Sequence, residues 1–198
     1  MKRGIYSVLF VLVSQLLHAQ IHTVQLFPSG SPMGLPIIHL KELNTLELHF
    51  DDFENKYKNY YYTIELLQID GKPADYSSSE YLRGFPSNKV TKFEASSVSI
   101  QSYYHYQVNF PNADCAPKLS GVYNIKVYEE ATPEKVVAQK TFYVTDDMVS
   151  VFATIEEPFD NNYTKTHQKV QFQVDAKNIP FFQERQVQCL VFQNQQIS

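Results

Sequence analysis

The sequence has little of several residue types that particular classes of protein require. Its 198 residues contain no Trp, 2 Cys and 6 Gly. It has no glycine-rich phosphate loop, no Gly-x-Ser-x-Gly nucleophile elbow, no His-Glu-x-x-His motif and no paired-cysteine zinc motif. These absences favour a protein that is not an enzyme, with no catalytic residues, no metal, no cofactor and no small-molecule substrate. The formal net charge of −4, without a basic block, argues against nucleic acid as a partner.

The first residues of the chain differ in composition from the rest. Lys2 and Arg3 precede an apolar segment from Ile5 to Leu17, and the small residue Ala19 follows it. This pattern predicts a secretory signal peptide at residues 1–19. Its removal takes away two positive charges, so the net charge of the mature chain is expected to change from −4 to −6. No later apolar run has the length of a membrane span, so we expect no transmembrane segment in the mature chain.

The two cysteines are too few to form a disulfide framework in a chain of this length. An exported compartment permits a bridge between Cys115 and Cys189, but we favour two independent thiols. Cys115 lies in a segment with the composition of a loop, residues 112–117. Cys189 alternates with Val187 and Val191, as a small core side chain would.

The dominant pattern beyond residue 20 is a period of two, which is typical of half-buried β-strands. The clearest alternating segments are 45–50, 60–66, 103–110, 123–128 and 169–174. Turn-forming residues separate them, and no segment shows a sustained helical period. The sequence therefore predicts an all-β protein without helices, most simply an antiparallel immunoglobulin-like β-sandwich.

A domain boundary is expected near residue 146. Residues 21–146 are enough for a complete sandwich of seven to nine strands. Residues 147–198 contain only about three predicted strands, which are too few to close a second one. We therefore expect residues 147–198 to be the beginning of a second β domain, in a longer protein that is cut at Ser198.

Two groups of polar residues have the residue types of a metal-binding site but are better explained as ordinary surface residues. His49 and His105 occupy the polar faces of predicted strands, where satisfied polar residues are common. The acidic run at 51–54 offers oxygens that calcium prefers but lacks the spacing of a calcium-binding loop. We interpret it as a solvated turn at the end of a strand.

Tyrosine is the unusual feature, with 14 residues in the chain. Tyr60-Tyr61-Tyr62 and Tyr103-Tyr104-x-Tyr106 place aromatic rings on both faces of their strands. One face belongs to the core, which leaves Tyr61 and Tyr103 as candidates for a surface that contacts a protein or stacks on sugars. Coverage of that second face by loops or a neighbouring domain remains the alternative.

The chain resembles the type IX secretion system plug protein family over about residues 21–175. The residues that carry the resemblance are Gln25-Leu26-Phe27-Pro28, Pro36-Ile37-Ile38-x-Leu40, Leu46-x-Leu48-x-Phe50-Asp51-Asp52, Glu80-Tyr81-Leu82-x-Gly84-Phe85, Tyr104-x-Tyr106, Phe110-Pro111-Asn112, Ser120-Gly121-x-Tyr123, Val127-Tyr128, Phe142-x-Val144 and Thr166-His167-Gln168. The chain departs from the family near residues 64–72, where the family tends to have a Cys and a Trp.

The resemblance implies a periplasmic, non-catalytic protein built of β-sandwich domains. Its partner would be a very large outer-membrane β-barrel translocon, whose periplasmic opening it would block until a folded cargo protein arrives. The alternative from another class is a carbohydrate-binding β-sandwich module of a secreted or surface protein, with tyrosines stacking on sugar rings.

Overall fold

The structure of the chain is a computed structural model. It describes residues 21–176 except 43, 55, 69, 98–100 and 131–134, together with 179, 191–193 and 196–197. The predicted signal peptide and Cys189 lie outside the described residues.

The described residues form short strands and one short helix. In chain order they are β1 Ile21–Pro28, β2 Ile37–His39, β3 Leu46–Asp52, β4 Tyr60–Leu67, α1 Ser78–Tyr81, β5 Leu82–Gly84, β6 Asn88–Lys89, β7 Lys92–Ala95, β8 Tyr104–Phe110, β9 Cys115–Pro117, β10 Gly121–Glu129, β11 Val136–Thr145, β12 Ser150–Glu156, β13 Lys169–Asp175, β14 Phe192–Gln193 and β15 Gln196–Ile197.

Two sheets form the body of the protein. Sheet A has the strand order β1-β3-β8-β7, and sheet B has the order β2-β11-β10-β4-β6. All pairings are antiparallel except that of β2 with β11. The strands of sheet A correspond, in their order across the sheet, to strands A, B, E and D of an immunoglobulin-like sandwich: these are β1, β3, β8 and β7. In sheet B, β4, β10 and β11 correspond to strands C, F and G. The predicted antiparallel β-sandwich is confirmed.

The core lies between the two sheets, and every second residue of β3, β4, β8 and β10 contributes to it. On β3 these are Leu46, Leu48 and Phe50, all at most 1% exposed. Aromatic rings fill much of the space: Phe50 stacks on Tyr106 at 5.1 Å, and Tyr123 stacks on Phe142 at 5.3 Å. The period of two at 45–50, 60–66, 103–110 and 123–128 has a direct physical cause, because each of these strands has one face in this core.

A tyrosine corner fixes the entry into β10. The Tyr123 hydroxyl donates a hydrogen bond of 2.9 Å to the carbonyl oxygen of Leu119, four residues upstream. The same arrangement ties the corresponding loop to the sandwich in immunoglobulin-like domains. Burial raises the pKa of this hydroxyl from 10.0 to about 12.

Because of this raised pKa, we expect the native chain to be more stable than a Tyr123→Phe variant at pH 7 but less stable than it at high pH. At pH 7 the variant should be less stable by about 1 kcal/mol, because the hydrogen bond to Leu119 is lost. A hydroxyl whose pKa is higher in the folded state stabilises the fold fully below pH 10 and loses that contribution as the pH rises. By pH 12 the loss amounts to about 2 kcal/mol. Urea unfolding at pH 7 and between pH 10 and 12 should therefore show the native chain becoming the less stable protein.

The matched control for this pair is Tyr76→Phe, because the Tyr76 side chain is 53% exposed. Because an exposed ring contributes little to the fold, the stability of this variant at pH 7 should differ from that of the native chain by less than about 0.5 kcal/mol. Parallel pH profiles for the Tyr123→Phe variant and the native chain would contradict the prediction.

The structure corrects two predictions of local structure. Residues Ser78–Tyr81 form a helix, α1, where no helix was expected. The Glu80 carboxylate accepts hydrogen bonds from the backbone N–H and the hydroxyl of Ser77, which stabilises this single turn at its start. Cys115 lies not in a loop but in β9, paired with β5. No helix in the described part of the chain is long and apolar enough to cross a membrane.

Cys115 is a free and fully buried thiol. Burial raises its pKa to about 12, so the reactive thiolate is strongly disfavoured. Its predicted alternative, a bridge to Cys189, stays a prediction because Cys189 is outside the described residues.

Strands β12 and β13 pair as a separate antiparallel hairpin after the sandwich. One of its faces is entirely apolar and consists of Val151, Ala153, Ile155, Val170, Phe172 and Val174. Ile155 is 67% exposed and Phe172 is 44% exposed. The hairpin fits the expectation that residues 147–198 begin a second β domain, which stays a prediction.

Candidate functional site

Tyr61 and Tyr103 lie on opposite sides of the molecule. Tyr61 belongs to β4 in sheet B and stacks on Tyr128 with the ring centres 6.1 Å apart. Tyr103 immediately precedes β8 in sheet A and packs against Phe53 at 5.5 Å. Both side chains are half-buried rather than fully exposed. The two candidate tyrosines therefore cannot belong to one flat contact surface.

The outer face of sheet A carries a chain of hydrogen-bonded polar side chains that crosses from β3 to β8. Nδ1 of His49 and Nε2 of His105 are 2.9 Å apart. Nε2 of His49 is 3.0 Å from a carboxylate oxygen of Glu47, and Nδ1 of His105 is 2.7 Å from Asp51. Both histidines were expected to be ordinary polar residues, whereas the structure brings them together. We name the four residues Glu47, His49, His105 and Asp51 the histidine chain.

Neighbouring residues hold the histidine chain in place. Phe27 of β1 stacks on the His49 ring at 5.1 Å, with the planes 16° apart. The Ser29 hydroxyl donates a hydrogen bond to the second oxygen of Glu47. These hydrogen bonds, first from Ser29 and then from His49, lower the pKa of the Glu47 carboxyl. Glu47 is therefore held as a carboxylate, which only accepts hydrogen bonds.

A second polar cluster is buried at the end of the sandwich. Asp52 was interpreted as part of a solvated turn, but it has no exposed surface. It accepts a hydrogen bond of 2.8 Å from the Tyr60 hydroxyl and faces the ammonium of Lys58 at 3.8 Å. Burial and this bond to Asp52 raise the pKa of Tyr60. The alternation of β3 explains the burial, because Asp52 continues the inward-facing series of Leu46, Leu48 and Phe50.

Two more carboxylates surround Lys58. Oxygens of Glu54 and Glu129 lie 2.7 Å and 3.6 Å from its ammonium nitrogen. Among the described residues, no group of three or more His, Cys, Asp or Glu is placed to hold a metal ion. The geometry of this cluster is that of a buried ion-pair network.

A groove with a volume of about 740 Å³ lies between β1 of sheet A and β11 of sheet B. Val24 and Leu26 line one side, and Lys140 and Tyr143 line the other. The groove contains no grouping of side chains that suggests a chemical reaction.

The chain is similar to several solved structures. The chain aligns with a hypothetical protein from Parabacteroides merdae ATCC 43184 at a TM-score of 0.76 and 30% sequence identity. The alignment covers 82% of this chain and 41% of that protein, so the chain spans well under half of its relative.

A second structure, the Pseudomonas fluorescens alkylpurine DNA glycosylase AlkC bound to DNA containing an abasic site analog, aligns at a TM-score of 0.34 and 16% identity. That alignment covers 63% of this chain and 30% of the glycosylase, and a likeness this weak supports no inference. No curated protein matches the chain.

Comparison with protein families gives a match over residues 21–146 to the first domain of the type 9 secretion system plug protein. The matched range covers the whole sandwich, from β1 to the end of β11, and the family is the one that the sequence resemblance predicted. The chain belongs to the type 9 secretion system plug protein family, and its sandwich matches the first domain of that family.

Proposed function

We propose that the chain is the front part of a periplasmic, non-catalytic plug that seats against the periplasmic opening of a very large outer-membrane translocon barrel. The observation that carries the proposal is the match of residues 21–146 to the first domain of the plug family. The predicted signal peptide at residues 1–19 supports export to the periplasm.

The sandwich has the physical properties that such a role needs. A plug requires a rigid body with a wide contact face that can separate from its partner, and it requires no catalytic residues. The aromatic core supplies the rigidity. The outer face of sheet A supplies a surface that combines aromatic rings, such as Phe27 and Tyr103, with polar side chains, a composition that suits reversible protein contacts.

The proposal is tested by purification of the tagged protein from its native envelope in mild detergent. Mass spectrometry should identify one very large outer-membrane barrel among the co-purifying proteins. Recovery of the protein alone, together with binding to polysaccharide, would overturn the proposal in favour of the carbohydrate-binding alternative. Tyr61 and Tyr103 lie on opposite sheets and therefore cannot form one sugar-stacking platform, which counts against that alternative.

The opposite positions of the two tyrosines also allow the contact face to be identified. We expect Tyr103→Ala, on sheet A, to reduce the recovery of the barrel, and Tyr61→Ala, on sheet B, to leave it unchanged. The reverse result would assign the contact to sheet B. If both variants fold and recover the barrel as the native chain does, neither tyrosine contributes to the contact.

A further inference from the structure

The hydrogen-bond distances in the histidine chain determine how many protons its two imidazole rings carry. A carboxylate has no proton to donate, so the ring nitrogens facing Glu47 and Asp51 must both carry one. If both imidazoles were neutral, their other nitrogens would be bare. These are Nδ1 of His49 and Nε2 of His105, which face each other at 2.9 Å. Two lone pairs at this distance repel each other, whereas a single proton between them makes a hydrogen bond.

We propose that His49 and His105 form a binding site for one extra proton, which the two rings share on the outer face of sheet A. The pair then has three ring protons and a single positive charge, and the two carboxylates of the histidine chain flank it. All three hydrogen bonds are satisfied only in this state. The site fastens β3 to β8 through side chains, in addition to the backbone pairing of the two strands.

The separation of the rings selects a proton over a metal ion. Tetrahedral zinc binds imidazole nitrogen at about 2.0–2.1 Å, which places two such ligands about 3.3 Å apart. The observed 2.9 Å is the usual length of a hydrogen bond. The described residues also supply no third ligand at this position.

The charges around the pair favour a bound cation. Glu47 and Asp51 contact the rings directly, and their side chains are 19% and 15% exposed. From β7, Glu94 lies opposite His105, and Lys92 acts electrostatically on Glu47. From β1, the neutral Gln25 lies opposite His49, and His22 lies opposite Asp51. The near surroundings thus hold three carboxylates and one ammonium.

The shared proton makes the site sensitive to pH in both directions. At high pH the pair becomes neutral and the bond between the rings is lost. At low pH a fourth proton places two N–H groups against each other, with the same result. The contribution of the pair to stability should therefore follow a bell-shaped curve, because a proton retained in the folded state stabilises it until the pH rises enough to remove that proton.

Nuclear magnetic resonance of the full chain with ¹⁵N-labelled histidine tests the proposal directly. At neutral pH we expect three protonated ring nitrogens in the pair and a measurable coupling across the hydrogen bond between His49 Nδ1 and His105 Nε2. Titration should show two separate steps with a plateau between them. His22, on the same face but outside the histidine chain, should show no such coupling and serves as the internal control.

Variants give a second readout that does not depend on the coupling. His49→Gln should abolish the plateau, leave His105 with a single titration step, and flatten the bell-shaped dependence of the urea midpoint on pH. His22→Gln should change none of these. Single-step titration of both rings in the native chain would overturn the proposal. Stoichiometric uptake of added Zn²⁺ at neutral pH that displaces the shared proton would also overturn it.

Discussion

A Lys58→Met variant should be less stable than the native chain by about 3–5 kcal/mol, because it removes the cation that faces the fully buried carboxylate of Asp52. The Lys58 side chain is 8% exposed, and its ammonium nitrogen has no hydrogen bond of good angle among the described residues. Its contribution is therefore chiefly electrostatic. Without it, the buried Asp52 carboxylate loses the ammonium group that faces it, whereas Glu129 keeps its ion pair with Lys135. Urea or thermal unfolding of the variant measures the loss.

Two further variants separate this electrostatic role from simple loss of a lysine. Lys56→Met changes an exposed side chain two residues away and should alter stability by less than about 0.5 kcal/mol. Asp52→Asn combined with Lys58→Met removes both partners, and it should recover part of the loss because no buried carboxylate remains unpaired. A Lys58→Met variant as stable as Lys56→Met would contradict the ion-pair interpretation.

The strands of the core were predictable from the sequence because burial imposes a period of two. Alternation at 60–66 and 103–110 corresponds to β4, Tyr60–Leu67, and β8, Tyr104–Phe110. The short strands could not be found in this way. β5 and β9 have three residues each, which is too few to show a period. The helix α1 did leave a signal, the Ser77-x-x-Glu80 capping box, which a search limited to sustained helical periods passes over.

The polar groupings were harder to predict because they depend on contacts between strands. Alternation alone places His49 and His105 on the polar faces of β3 and β8. Their contact follows from the register that sets His49 opposite Gln107 and Asp51 opposite His105, and 56 residues separate the two histidines. The burial of Asp52 could have been predicted from the alternation, because Asp52 continues the series of inward-facing residues on β3. A buried carboxylate requires partners, and these come from Lys58 and Tyr60.

A Gly84→Ala variant should lose about 4 kcal/mol of its free energy of unfolding, because of the conformation and surroundings of Gly84. Gly84 has a φ of +100°, and a Cβ atom there would collide with the carbonyl oxygen of Asp114. The same oxygen accepts a 2.8 Å hydrogen bond from the backbone N–H of Phe85, so it cannot move away without breaking that bond. The pairing of β5 with β9, which holds the buried Cys115, would have to separate.

Gly71→Ala is the matched control for this prediction, because it isolates the backbone conformation from the collision. Gly71 has a φ of +81°, but a Cβ atom there would have no neighbour within 4 Å. Its substitution should cost only the strain of a left-handed alanine, about 1–2 kcal/mol. Equal losses for the two variants would mean that β5 and β9 are free to shift apart. A much larger loss for Gly84→Ala, accompanied by increased reactivity of the Cys115 thiol toward alkylation, would mean that the close approach of the two strands is what seals this part of the core.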